Sequence, residues 1–196
     1  MKKIVAITGK RGHGKSTASD ALEALGYRNI AFGDPVRQVV EIVYGVSMHE
    51  MLDPVLKEQV LNRWPFKSPR ELMQIVGTDM FRKTKFNDGK PLDETWVKCF
   101  EREAQEYSHI VCSDLRFPNE ADALREMAEP PAQGELFAEA EVTIIKIVNP
   151  HVDLHDVASQ HASETEIDKI EPDHTIINGG TIPALHAIVR EITGAH

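Results

Sequence analysis

Lys3–Leu25 reads KIVAITGKRGHGKSTASDALEAL, and its three parts decide the fold. Lys3–Thr8 is a short β-branched run suited to a buried strand, and Ser16–Leu25 has helical composition and closes on Gly26. Between them, Gly9–Ser16 fits the pattern G-x-x-x-x-G-K-[ST] at every fixed position. A strand, a glycine loop and a helix in that order form a P-loop. Gly9, Gly12 and Gly14 let the backbone take positive φ and turn its N–H groups inward, at the positive end of the helix. The spacing puts Lys15 within reach of β- and γ-phosphates, and Ser16 offers a hydroxyl to Mg²⁺, which bridges phosphate oxygens during transfer. These roles describe a nucleoside triphosphate site.

Working outward, Tyr27–Phe32 reads as a second strand broken by Gly33-Asp34-Pro35, and Val36–Val46 as an apolar helix. Residues 47–107 carry no convincing strand. Apolar periodicity over Arg70–Phe81 and Thr95–Tyr107 predicts a helical insertion there. His109–Ser113, Glu141–Val148 and His174–Asn178 complete five strands, with helices over Asn119–Met127 and Thr181–Ile192. Alternating strands and helices with near-continuous apolar strands predict an α/β, three-layer arrangement around a parallel sheet. Ligands of such a sheet bind at the strands' C-terminal ends. Gly9–Ser16, Gly33-Asp34, Asp114–Arg116 and Asn178–Gly180 each follow an expected strand and so converge on that edge.

Length and charge narrow the function. At 196 residues the chain suits a single domain over 1–196, large enough for a sizeable core. With 31 acidic against 22 basic side chains and a net charge of −9, it lacks the basic excess of a general nucleic-acid binder, and no nucleic-acid partner is expected. Two cysteines, Cys99 and Cys112, no signal peptide and no apolar span of about 18 residues point to a soluble cytoplasmic protein and no membrane partner. Cys112 lies inside an apolar run and reads as a core residue. Glu129–Glu139 reads as a surface loop without chemistry.

Asp114 ends an apolar strand, where a P-loop enzyme commonly places a carboxylate that holds Mg²⁺ or its water shell; as a structural residue it would cap a helix or pair with Arg116. Arg116 suits bidentate contact with donor and acceptor phosphates. Asp34 is either a helix N-cap before Pro35 or a carboxylate that orients an acceptor, and Arg37 follows one turn later to meet an acceptor phosphate. Ser68, Pro69 and Glu71 spell a capping box with proline at N1. On the helix they open, Arg70, Gln74, Thr78, Asp79 and Arg82 are polar positions that either read a base edge or phosphate, or simply face solvent. His151, His155 and His161 with Asp153 and Asp156 have no tetrahedral ligand spacing, so no dedicated metal site is expected from them. The polar segment 149–168 lies where a lid that excludes water would sit.

Four stretches taken together resemble the bacteriophage deoxynucleoside monophosphate kinases, P-loop enzymes of the nucleotide and nucleoside kinase group. They are Ile7–Thr17 (ITGKRGHGKST), Ser68–Phe81 (SPRELMQIVGTDMF), Ser113–Glu120 (SDLRFPNE) and His161–Glu164 (HASE). The resemblance implies a P-loop kinase fold with a five-stranded parallel sheet, a helical acceptor-binding insertion over 47–107 and a lid over 149–168. It implies Mg²⁺- and ATP-dependent phosphoryl transfer to a deoxynucleoside monophosphate in the host cytoplasm, and suggests a homodimer. By position, Gly12, His13, Gly14, Lys15, Ser16 and Thr17 would hold ATP phosphates with help from Lys10, and Asn178 would lie beside adenine. Arg70, Arg116, Ser163 and Glu164 would belong to the acceptor. Lys146 aside, the 149–168 segment has no arginine or lysine, so a charge clamp falls to Lys10, Arg11 and Arg116. In this reading Asp34 orients the acceptor, Lys15 and Arg116 stabilise transition-state charge, and Ser16 with Asp114 holds Mg²⁺. A kinase for another small phosphorylated acceptor, phosphomevalonate-like or dephospho-coenzyme-A-like, shares these features. A nucleotide-dependent switch is the reading from another class, although no N-K-x-D guanine-reading motif is present.

Overall fold

The β-branched runs pair side by side in one direction. The structure, a computed structural model, describes residues 1–89, 91–129, 140–152 and 165–195. Its elements are β1 (Lys2–Thr8), α1 (Lys15–Glu23), β2 (Arg28–Asn29), α2 (Asp34–Tyr44), α3 (Met48–Leu52), α4 (Pro69–Gln74), a π-helix (Ile75–Arg82), α5 (Thr95–Ala104), β3 (His109–Leu115), α6 (Pro118–Glu126), β4 (Ala140–Val148), β5 (His174–Ile177) and α7 (Ile182–Thr193). Short 3₁₀ turns occupy Leu56–Glu58 and Glu166–Lys169. The five strands form one parallel sheet in the order β2-β3-β1-β4-β5. The expected α/β architecture is the one observed.

Two compact units divide the chain, residues 1–31 with 101–196, and residues 32–100. In the first, β1 is central, and its alternate side chains are buried on both faces. Val5 and Ile7 pack with Ala18 and Leu22 of α1, Ile145 and Ile147 of β4, and Leu185 and Val189 of α7. Ile4 and Ala6 point the other way and are equally inaccessible, as are Ile110, Cys112 and Ile144. The crossover from β1 through α1 to β2 runs opposite to the crossover from β3 through α6 to β4, and right-handed connections therefore place α1 and α6 on opposite faces. That is the three-layer arrangement.

The second strand is shorter than its apolar run predicts. Tyr27, Ile30, Ala31 and Phe32 are buried, but only Arg28 and Asn29 pair with β3, after which the Ile30 N–H makes one more bond to Val111 O. β2 is an edge strand, and burial of side chains rather than a ladder accounts for the run.

The 32–100 unit is helical around Val36, Val40, Val46, Met51, Leu61, Leu72, Val76 and Trp96. The capping box at its α4 is complete. Ser68 Oγ accepts from Glu71 N–H and the Glu71 carboxylate accepts from Ser68 N–H at 2.9 Å, a hydrogen bond that holds the Glu71 carboxyl below the usual range. The helix predicted over Arg70–Phe81 changes pitch at Ile75. Trp96 Nε1 donates to Gly77 O at 2.9 Å and Lys83 N–H reaches back five residues to Thr78 O, so the turns here are π-turns.

Candidate active site

Gly9, Gly12 and Gly14 take φ of 139°, 79° and 99°, all in the region that disfavours side chains. Close packing reinforces the choice at two of them. A Cβ on Gly9 would stand 2.4 Å from Ile147 O, and one on Gly14 would stand 2.5 Å from Asn178 Nδ2. Gly14 caps α1, so the first-turn N–H groups of Lys15, Ser16 and Thr17 have no intrahelical acceptor and face the loop's concave side.

Remote parts of the 1–31 and 101–196 unit hold this loop in shape. His13 is buried, and its Nδ1 lies 3.0 Å from Ile147 O, which fixes the proton on Nδ1 because a carbonyl only accepts. Asn178 Nδ2 donates to His13 O at 2.9 Å. His186 Nε2 lies 2.8 Å from Thr17 O and ties α7 to the first turn of α1. Lys15 Nζ donates to Gly9 O at 2.6 Å and to Lys10 O at 2.9 Å, curling over the loop's own carbonyls. The Lys10 ammonium meets Asp168 at 2.9 Å. Thus Lys10, Gly12, His13, Gly14, Lys15, Ser16, Thr17 and Asn178 come together, with Asn178 bonded to the loop backbone.

Asp114 lies within β3 rather than beyond it. The register runs Ala6↔Cys112 and then Thr8↔Leu115, so β3 carries an extra residue opposite Ile7, at Ser113-Asp114. Such a bulge re-aims a side chain at a strand's end. Cys112 Sγ lies 3.5 Å from Asp114 Oδ1, and burial together with the neighbouring carboxylate pushes the thiol's pKa well up. It is a protonated core thiol, as its apolar run predicts. After β3, the buried Glu120 carboxylate accepts from the Arg116 N–H at 2.9 Å and the Phe117 N–H at 3.1 Å, fixing the turn that carries Arg116.

In the 32–100 unit, α2, which carries Asp34 and Arg37, packs against α4 and the π-helix, which carry Arg70, Gln74, Thr78 and Asp79. Gly33 rather than Asp34 occupies the cap position of α2, and Asp34 Oδ1 is paired with Arg37 at 2.6 Å. Arg70 Nε meets Glu58 at 2.7 Å, and Asp79 meets Lys83 at 2.6 Å. Thr78 is buried, Gln74 is half-buried, and Arg82 closes the π-helix. Ser163 and Glu164, with Asp153, His155, Asp156 and His161, lie outside the described residues. Among those described, no group of His, Cys, Asp and Glu has metal-site geometry.

Sequence reading missed Ile147, Glu120, Asp168 and His186. Glu120 had half of a local signal, since it stands three residues after Phe117 and its carboxylate reaches back to the Phe117 N–H, without a capping side chain at Phe117. The other three act across more than 130 residues of sequence and leave no local signature.

Fold and loop together define an α/β protein of P-loop kinase fold. A mimivirus protein (Acanthamoeba polyphaga mimivirus) named "Putative deoxynucleotide monophosphate kinase" is 27% identical over 195 residues, covering 94% of this chain and 92% of that protein. Among solved structures, a dephospho-CoA kinase from Campylobacter jejuni superposes with a TM-score of 0.49 at 13% identity, over 99% of this chain and 98% of its own. A sugar kinase from a Janibacter species gives 0.46 at 14% identity, over 100% and 95%. No protein-family model matches the chain. No helix among the described residues is long and apolar enough to cross a membrane.

Proposed function

We propose that the chain is a Mg²⁺-dependent kinase that transfers the γ-phosphoryl group of ATP to a deoxynucleoside 5′-monophosphate. The observation that carries nucleotide-dependent phosphoryl transfer is the complete P-loop, its three positive-φ glycines braced by Ile147 and Asn178. The narrower choice of acceptor is supported by likeness to the mimivirus protein along nearly the whole chain.

The loop fits its ligands chemically. Inward N–H groups and the N-terminus of α1 suit a polyphosphate, and the hydroxyl of Ser16 with the carboxylate of Asp114 are hard oxygen donors suited to Mg²⁺. Bound there, the cation would neutralise developing phosphate charge. The chain's own residues do the rest. Lys15 exchanges the carbonyls of Gly9 and Lys10 for β- and γ-phosphate oxygens, carrying its charge to where it builds during transfer. Arg116, on a turn fixed by Glu120, spans donor and acceptor phosphates. Asp34 orients the acceptor, Arg37 and Arg70 hold its phosphate, and Gln74, Thr78 and Asp79 read the nucleoside. Ser163 and Glu164 complete the acceptor set.

The test is ADP formation from ATP and Mg²⁺ with dAMP, dGMP, dCMP, dTMP, hydroxymethyl-dCMP and the ribonucleotides, beside acceptor-free and Lys15→Ala reactions. Turnover that needs a deoxynucleotide and falls by about 10²-fold or more in the variant supports the reading. Turnover indifferent to acceptor would replace it with an NTPase.

A further inference from the structure

The 149–168 segment holds no lysine or arginine, yet a lysine of β4 sits beside the P-loop. Lys146 is on β4 in register with Thr8, the last residue of β1 before the loop. Its neighbours Ile145 and Ile147 turn into the core beside α1, so Lys146 projects from the opposite face, the one shared with Thr8. There its ammonium lies 3.1 Å from Asp168 Oδ1, while the Lys10 ammonium of the P-loop lies 2.9 Å from Asp168 Oδ2. One carboxylate therefore spans two ammonium groups, one from the loop and one from the sheet.

We propose that Lys146 and Lys10 form a phosphate subsite beside the P-loop, and that Asp168 occupies it as an internal anion which a nucleotide's phosphate displaces. The inference rests on the reading of the loop as a polyphosphate site. Three observations carry it. A carboxylate and a phosphate present similarly spaced oxygens to ammonium donors, so the geometry that accommodates one suits the other. Asp168 is half exposed while both lysines are largely covered, so the anion is the partner placed to leave. Thr8 Oγ1, in register with Lys146, is fully buried and has no hydrogen-bond partner among the described residues. That orphan hydroxyl marks a polar position at the head of the loop that the polypeptide itself leaves unmatched. Although burial alone would raise the Asp168 carboxyl, hydrogen bonds from Lys10 and Lys146 outweigh it and hold the group below its usual range. The two ammonium groups thus favour the charged carboxylate, which competes as an anion.

Calorimetric binding of ATP and of inorganic tripolyphosphate to the full chain tests this, with Lys146→Met, Asp168→Asn and Lys15→Ala beside the parent. Lys146→Met should weaken both ligands about tenfold, the scale of one charge-assisted hydrogen bond, and Asp168→Asn should tighten both several-fold. The gain is decisive, because damage to a scaffold does not raise affinity. Weaker or unchanged binding in Asp168→Asn would make Asp168 a brace for the two lysines and overturn the proposal, as would unchanged binding in Lys146→Met. If Lys15→Ala weakens binding while those two fail, the P-loop reading stands and the subsite alone falls. If Lys15→Ala also binds normally, both fall.

Discussion

The two units hold their polar chemistry by opposite means. In residues 1–31 and 101–196, the P-loop is shaped by partners far along the chain: Ile147 against His13 and Gly9, Asn178 against His13, and His186 against Thr17. In residues 32–100, the candidate acceptor groups are held by near neighbours: Asp34 by Arg37, Asp79 by Lys83, and Arg70 by Glu58. The lesson is a division between preorganisation and exchange. A loop locked by distant partners cannot relax without disturbing the sheet, so its geometry is set before any ligand arrives. Partly exposed ion pairs contribute little stability and break readily, so side chains held by them can change partner at small cost.

The sharpest way to break this contrast is Gly9→Ala. The added carbon meets the Ile147 carbonyl at a φ of 139°, so the substitution should destabilise by about 3 kcal/mol or more, lowering Tm by about 10 °C. A variant that melts with the parent would show that the loop is not locked. Asn178→Ala removes the donor from His13 O and should weaken ATP binding about tenfold by titration. Equal affinity would place loop rigidity elsewhere. Arg70→Ala should raise the acceptor's KM about tenfold while leaving that of ATP unchanged, since its counter-ion Glu58 is a surface partner. Parallel rises for both substrates in steady-state kinetics would erase the division of labour. The smallest effects belong to the caps. Ser68→Ala should cost about 1 kcal/mol by denaturant unfolding. Glu71 and Glu50, each bonded to the backbone N–H of its cap serine, have folded pKa values below their unfolded ones. Their stabilisation is therefore complete above the unfolded value and is lost as pH falls through the folded one. Glu71→Gln should flatten that acid limb of a Tm against pH curve.

The same contrast decides what the sequence reveals. Val5, Ile7, Ile144 and Ile145 had to be apolar because both faces of the sheet are covered, and glycine had to stand at 9, 12 and 14 because of φ. Strands and loop were therefore readable. The capping box at Ser68 was readable because all its partners lie within three residues. Three features escaped for physical reasons. β2 shrank because burial, not pairing, explains its apolar residues. At the π-turns the Gly77 carbonyl is met by the Trp96 indole, 19 residues away. The β3 bulge that turns Asp114 appears only when β1 is laid beside it. Hydrophobic pattern encodes layers, whereas the fine aim of a polar group depends on partners that pattern does not contain.

The position of β1 has a consequence for how the protein comes into being. Of the five strands of the sheet it is made first, yet it lies between β3 and β4, whose first residues, His109 and Ala140, follow more than a hundred positions later. A ribosome making the chain releases the phosphate loop early and the groups that brace it, Ile147, Asn178 and His186, last. Nascent chains that end before Ile147 therefore carry the complete motif without any of the three contacts that brace it.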